Sequence, residues 1–387
     1  MKLKRGKPED VGVSPDRVSA LVQRAQGWVE TKIHPSLVMI AARKGTIFLD
    51  EAFGYLSPDN NSPPLNRDSL FPLASVSKLI TATAAMILVE DGLLSLNRPV
   101  ADYIPEFANE ENNRVLVRHL LTHTSGIREE NVIGRIKEEG VKWEDPFPFY
   151  WLVDNFETYL SLIFKTPISL APDTVMAYAD TNFDILGEII QRVSGMSLAN
   201  YFQDKIFQPL GMKSSCITVP EKMRQFVVTR PHTAPAYDFT LHAMDIPLGS
   251  MGVFSSAMDM AVFGQMFLNG GVYGNSRILS RSSTKAMTSN QIPGIEGRFR
   301  DEIIPEAEWG LGWSVHVNGK SWAYDEILLS QNAFCHGGTG GVFLWVDPVY
   351  EIVAVFFSVY LEILENERPN ACTDLFINAV LSSIVDL

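Results

Sequence analysis

From Pro15 to Glu30 the apolar residues Val18, Leu21, Val22, Ala25 and Val29 recur near helical spacing. Ser14 precedes them as an N-cap, so the chain is predicted to open with an amphipathic helix. Two β-branched and aromatic runs follow, Ser36 to Ala42 and Thr46 to Tyr55, and only Arg43, Lys44 and Gly45 lie between them. That pattern predicts a hairpin. From about residue 60 to 300 the pattern changes to long helical periods broken by caps, prolines and loops, with few strand signals. Strand patterns return at Trp309 to Val317, Gly341 to Val346 and Ile352 to Val359, and a last helix is predicted from Ala371 to Val385.

The two ends are therefore alike, and the middle differs. A helix with a hairpin at the start, and strands with a helix at the end, can close into one antiparallel sheet covered by the terminal helices. The expected fold class is α+β: such a sheet in residues 1–59 and 301–387, a mostly helical subdomain in residues 60–300, and an active site in the cleft between them.

Composition adds exclusions. The chain has 387 residues, 46% of them hydrophobic and 20% charged, enough apolar material for a sizeable core and too little charge for disorder. A formal net charge of -13 repels phosphate backbones and anionic lipid surfaces, so neither nucleic acid nor a membrane is expected as a partner. Met1 to Ser14 begins with basic residues but has no apolar run behind them, and Leu79 to Leu94, the richest apolar stretch, is broken by Glu90 and Asp91. A cytoplasmic protein is expected. Three cysteines, Cys216, Cys335 and Cys372, are an odd number without close spacing, and are read as reduced thiols.

The first chemical signal is Ser75-Val-Ser-Lys78, which follows Pro72 and opens an apolar helix expected to stop at Asp91-Gly92. Residues i and i+3 share a helix face, so the Lys78 amine is brought beside the Ser75 hydroxyl at a helix N-terminus, where free N–H groups can bind an oxyanion. The spacing alone is not diagnostic, because Ser282-Ser-Thr-Lys285 matches it too. Ser282 lies in a polar stretch that reads as a cap with a solvated lysine, whereas Lys78 sits in apolar sequence that buries it. A lysine that serves as a base near neutral pH needs its charged form destabilised by about 4.6 kcal/mol, near the limit of burial alone. A second group is expected to help, and Tyr178, in Tyr178-Ala-Asp180 where a loop gives way to a helix, is the candidate. A lone tyrosine is otherwise most often core. Cys335-His336-Gly337-Gly338-Thr339-Gly340 precedes a strand; its glycines let a substrate backbone approach, and an N–H near Thr339 can complete an oxyanion hole.

In this order, Ser75-Val-Ser-Lys78, Tyr178-Ala-Asp180 and His336-Gly337-Gly338 resemble the three motifs of the class C β-lactamase and penicillin-binding protein superfamily, which includes the family VIII carboxylesterases. His119-Leu-Leu-Thr-His-Thr-Ser-Gly126, Gly252-Val-Phe-Ser-Ser and Trp309-Gly-Leu-Gly-Trp313 resemble it as well. The resemblance implies that Ser75 is acylated, that Lys78 and Tyr178 exchange its proton, that the Ser75 and Thr339 N–H groups hold the oxyanion, and that water releases the acyl group. It implies no metal and no cofactor.

Two departures bear on substrate. Antibiotic and peptide hydrolases of the family usually carry Tyr-x-Asn and Lys-Thr-Gly, and here Asp180 and His336 replace the amide and the cation. A carboxylate cannot donate unless protonated, and a histidine is mostly neutral at pH 7. Asp180, His336, Gly337, Gly338 and Thr339 are taken as the substrate and oxyanion group, with Asp180 either pairing with Lys78 or orienting substrate. The expected function is a serine carboxylesterase acting on small neutral esters of short or medium acyl chains. A β-lactamase, a D-amino-acid peptidase, an acyltransferase and a catalytically silent binding protein of the same fold remain alternatives. The aromatic stretch from Trp143 to Phe164 either walls an acyl pocket or cements the helical subdomain. His119 and His123 lack the glutamate and third ligand of a zinc motif, and no Gly-x-Ser-x-Gly elbow occurs.

Overall fold

A computed structural model describes residues 1–59, 62–141, 149–230, 240–241, 243–299, 302–316, 328–359 and 371–386. The elements that frame the site are, in chain order, β1 (Lys4–Arg5), α1 (Pro15–Glu30), β2 (Ser36–Arg43), β3 (Thr46–Gly54), α2 (Ser77–Glu90), α3 (Thr181–Ser194), α4 (Ala257–Leu268), β4 (Ser314–Val315), β5 (Phe334–Gly338), β6 (Val342–Asp347), β7 (Ile352–Val359) and α5 (Ala371–Ser382).

Both chain ends build one seven-stranded sheet in the order β1-β3-β2-β7-β6-β5-β4, antiparallel except for the short β1 beside β3. The β2–β3 hairpin turns at Lys44 and Gly45, both with left-handed φ (51° and 75°), the geometry whose twist matches paired strands. Every residue of β2 and β7 is buried, because both faces of the sheet are covered. Leu37, Met39, Ala354 and Phe356 face the paired helices α1 and α5, while Val38, Ile40, Val355 and Phe357 face α4 and the helical part. Burying a side chain of this size contributes about 1.5–3 kcal/mol relative to leaving it exposed, so alternate residues of one strand stabilise two separate cores.

The helical part, with α2 against α3 at its centre, lies over the second face, and α4, from within residues 60–300, packs directly on β2, β6 and β7. Gly264 of α4 permits this: a Cβ there would lie 2.8 Å from Val353 Cγ1. A small three-stranded sheet joins Val175–Ala177 to Glu296–Phe299 and Glu302–Ile304.

Some expectations need correction. Trp309 to Val317 is strand only at Ser314–Val315, since Gly312 adopts φ +89° and turns the chain; Val317 lies outside the described residues. The helix after Ser75 begins at Ser77, preceded by a 3-10 turn over Ala74–Val76, and its end beyond Glu90 is marked by Gly92 at φ +72°. The three cysteines are free, as expected, and burial pushes the Cys216 thiol up to about 12 and Cys372 up to about 11. Of the aromatic stretch, Trp143 and Phe147 lie outside the described residues. Tyr159 and Phe164 are core, and the Tyr159 hydroxyl donates to Asp184 Oδ2 at 2.8 Å.

Candidate active site

Ser75 stands on a turn held from both sides. Phe71–Pro72 pairs with Phe254–Ser255, and the Leu73 N–H donates to the Val253 carbonyl at 2.8 Å. The next residue, Ala74, has φ +45°, a conformation that costs a non-glycine residue about 1–2 kcal/mol. Strain of this kind persists only where neighbours over-determine the backbone, and Ser75, the next residue, is half-buried.

One turn on, Lys78 is fully buried, and its ammonium donates to three acceptors: Ser75 Oγ at 3.0 Å, Asp180 Oδ1 at 2.6 Å and the Ser250 carbonyl at 3.1 Å. Burial lowers the pKa of this amine, but the charge of Asp180, then that of Tyr178, and the hydrogen bonds to both oppose it, and the net direction is upward. The expectation that burial frees Lys78 as a base is therefore corrected. Asp180 comes from the start of α3, 102 residues away in sequence, and it holds Lys78 as a cation.

Tyr178 hydrogen-bonds to both Lys78 and Ser75, and these contacts pull its pKa down against the larger upward effect of burial. Its ring is stacked on His123 at 4.2 Å between centroids and stands edge-on to Trp309 at 6.0 Å, with Lys78 Nζ 4.9 Å from its centroid. His123 is itself fixed: its Nδ1 accepts from the Ala179 N–H at 3.3 Å, and its φ is +56°. His119 likewise uses Nδ1 to accept from the Leu116 N–H at 3.0 Å, so both histidines are structural hydrogen-bonding groups.

Two further carboxyls are buried near Asp180, and neither stands in the motifs read from the sequence. Asp184, one helical turn beyond Asp180, accepts from the Ser250 N–H at 3.0 Å and is pushed up to about 6 by burial. Glu129 accepts from the Thr181 hydroxyl at 3.0 Å, and burial together with the charge of Asp180 pushes it up to about 8. Their positions on helices are visible in the sequence, but the approach of Glu129 to Asp180 and Asp184 comes only with the fold.

The end of β5 closes the site. Gly338 lies so near the nucleophile turn that a Cβ on it would be 2.3 Å from the Leu73 carbonyl oxygen and 3.3 Å from Ala74 Cβ. Gly337 and Gly338 are half-buried and Thr339 is exposed, so the Thr339 end of the strand lies beside the turn that carries Ser75. His336 does not reach solvent. It is buried edge-on to Trp309 at 5.6 Å, its Nδ1–H donates to the Gly337 carbonyl at 2.8 Å, and burial, then the Lys78 charge, push it down to about 3. It is a neutral wall behind Tyr178, not a cation facing substrate. Ser282, the second match to the spacing, lies on a short surface helix capped by Ser280.

The model of the family described as Beta-lactamase matches residues 21–367. The chain belongs to the beta-lactamase family. This is a family of serine hydrolases, and its relatives span several activities. A Salmonella typhimurium protein named "Putative D-alanyl-D-alanine carboxypeptidase" is 26% identical, with 89% of this chain and 84% of that protein aligned. A solved family VIII carboxylesterase superposes with a TM-score of 0.75 at 21% identity, covering 96% of this chain and 99% of the other. EstCE1, a hydrolase with promiscuous acyltransferase activity, superposes with a TM-score of 0.73 at 21% identity over 95% and 99% of the two chains. Among the described residues of this family member, no helix is long and apolar enough to cross a membrane, and no group of three or more His, Cys, Asp or Glu side chains is placed to hold a metal ion.

Proposed function

We propose that the protein is a carboxylesterase that works through an acyl-enzyme on Ser75. The observation that carries this reading is the convergence of Lys78 and Tyr178 on the Ser75 hydroxyl beside the Thr339 end of β5. Lys78, held charged by Asp180, stays a cation and makes a Tyr178 phenolate easier to form. Tyr178 takes the Ser75 proton as Oγ attacks the ester carbonyl, the Ser75 and Thr339 N–H groups receive the oxyanion, and Tyr178 returns the proton to the departing alkoxide. Water, deprotonated by the same tyrosine, then releases the acid.

An ester is favoured over an amide because neither motif position that usually binds an amide-bearing anion supplies a free polar group here. Asp180 spends its charge on Lys78, and His336 is neutral and buried. An alkoxide also leaves with less proton assistance than an amine. The family VIII carboxylesterase superposed above supports the same choice. A cytoplasmic location, and the absence of nucleic-acid or membrane partners, belong to this proposal.

The test is parallel hydrolysis of p-nitrophenyl butyrate and a chromogenic cephalosporin by the wild type and Ser75→Ala. Ester turnover that the substitution abolishes, with slow or no lactam turnover, is expected. Equal ester turnover by both proteins, or a cephalosporin hydrolysed faster than the ester, would sink the esterase reading.

A further inference from the structure

Asp184 is only 3% exposed, and the proton transfers at Ser75 do not use it. Burial pushes its carboxyl up to about 6, so near neutral pH the fold keeps a charge where a charge is costly. Both of its oxygens are taken by donors from other elements. The Tyr159 hydroxyl, on the helix Phe149–Lys165, donates to Oδ2 at 2.8 Å, and the Ser250 N–H donates to Oδ1 at 3.0 Å.

The second of these bonds bears on the nucleophile. The Ser250 N–H belongs to the Gly249–Ser250 peptide, whose carbonyl accepts from the Thr81 hydroxyl of α2 at 2.6 Å. A peptide unit is planar, so this one is clamped at both ends, to α3 through Asp184 and to α2 through Thr81. The fit is close: a Cβ on Gly249 would lie 2.4 Å from the Phe183 carbonyl oxygen of α3, and one on Gly187 would lie 3.5 Å from Gly249 Cα. The next carbonyl along the chain, that of Ser250, accepts from Lys78 Nζ at 3.1 Å, and Lys78 also donates to Ser75 Oγ at 3.0 Å. Three residues further on, the Val253 N–H donates to Ser77 Oγ at 3.0 Å and ties the segment to the start of α2.

We propose that Asp184 is a positioning residue for Lys78: with Tyr159 behind it, it fixes the backbone at Ser250 so that the Ser250 carbonyl keeps the lysine ammonium against the Ser75 hydroxyl. Asp180 and Asp184 then divide the work. Asp180 pairs with Lys78 directly and holds it charged, whereas Asp184 acts at a distance through a neutral peptide and sets where that charge stands. Without the Ser250 acceptor, the 2.6 Å pair with Asp180 is free to draw the ammonium away from Ser75. The role rests on the reading of Ser75 as the acylated nucleophile, and it adds a residue that lies outside all three motifs.

The experiment measures kcat and KM for p-nitrophenyl butyrate in the wild type, Asp184→Ala, Asp184→Asn and Tyr159→Phe. Each rate is expressed per reactive Ser75, counted with a fluorophosphonate whose phosphorus bonds to Oγ as fluoride and the serine proton leave. Asp184→Ala is expected to lower kcat by about tenfold, the scale of one lost hydrogen bond, with KM within about twofold. Asp184→Asn keeps an oxygen for the Ser250 N–H and should recover most of that loss. Tyr159→Phe keeps the buried ring, removes only the donor to Asp184, and should lower kcat several-fold. A kcat per reactive serine equal to the wild type in Asp184→Ala overturns the positioning role, and so does an Asp184→Asn as slow as the alanine variant. An unchanged kcat in Tyr159→Phe overturns it even where the alanine variant does not fold. The rate of phosphonylation, read on the same samples, reports the reactivity of Ser75 without any ester. If the wild type cleaves no ester, yet phosphonylation slows in Asp184→Ala and recovers in Asp184→Asn, the esterase reading falls and the positioning role stands.

Discussion

Lys78 Nζ lies 2.6 Å from Asp180 Oδ1, closer than to the Ser75 hydroxyl at 3.0 Å, so the cation of the site is paired with a carboxylate while it also reaches the nucleophile. The charge of Asp180 raises the pKa of both Lys78 and Tyr178. Removing it lets each lose a proton at lower pH. In Asp180→Asn the ascending limb of the kcat/KM profile is therefore expected to move to lower pH by about one unit or more, the scale of an opposite charge at this distance. A limb that stays in place, or moves to higher pH, contradicts the idea that Asp180 holds the pair protonated.

Tyr178→Phe keeps the ring that stacks on His123 and removes only the oxygen that reaches Ser75 and Lys78. The expected loss is in kcat, by about 100-fold to 10,000-fold, the range of a general acid–base group. KM for a p-nitrophenyl ester should change little. Steady-state kinetics on the two proteins decide it, and a fall confined to KM would make Tyr178 a wall of the pocket.

The backbone at Ala74 separates stability from activity. Glycine at that position tolerates φ +45° without a Cβ penalty, so Ala74→Gly is expected to stabilise the fold by up to about 1 kcal/mol, less what is lost in buried contact. Activity should fall, because the nucleophile turn is then free to relax. Chemical denaturation and ester kinetics on the same sample test both halves, and a variant that is less stable yet fully active would mean that the strain serves no purpose.

The three motifs were legible because each is local. Ser75 and Lys78 are three residues apart, Tyr178 and Asp180 two, and the glycines after His336 lead straight into β6. The hairpin was legible for the same reason, since Lys44-Gly45 leaves the chain one tight way to turn. What sequence did not reveal is long-range charge balance. Burial of Lys78 followed from its apolar neighbours, but the outcome depended on Asp180 arriving from α3, and it reversed the expected direction. Glu129 and Asp184 read as ordinary helix-start and helix-surface acids until the fold buries them beside Asp180. The strand expected from Trp309 to Val317 is confined to Ser314–Val315 among the described residues, because Gly312, with φ of +89°, breaks the extended run.

Gly338 tests whether β5 truly closes on the nucleophile. A methyl group there would meet the Leu73 oxygen at 2.3 Å and Val342 Cγ2 at 2.6 Å, and neither the backbone carbonyl nor the packed valine can retreat cheaply. Gly338→Ala is expected to cost about 1–3 kcal/mol, as overpacking does, and to lower kcat by displacing the Thr339 N–H from the oxyanion. Unchanged kcat in a folded variant would remove Thr339 from the oxyanion hole.

Acid sensitivity should trace in part to His34, far from the site. Its ring is buried edge-on between Trp28 and Phe356 at centroid distances of 6.2 and 5.4 Å, and burial pushes it down to about 4. In the unfolded chain its pKa is about 6.5. Below that value the unfolded chain takes up a proton that the folded protein refuses, so the stability tied to neutral His34 is present above about 6.5 and is lost as the pH falls towards 4. The loss approaches about 1.4 kcal/mol per pH unit. Buried carboxyls act in the opposite sense: Asp259, pushed up to about 6 by burial, binds its proton first in the folded state and so favours folding as the pH falls. The wild-type curve is the sum of both, and the difference between wild type and His34→Phe isolates the histidine. Urea unfolding across this range should show the wild type losing ground to His34→Phe steadily below about pH 6.5. A difference that does not vary with pH would mean that His34 is not held neutral by its burial.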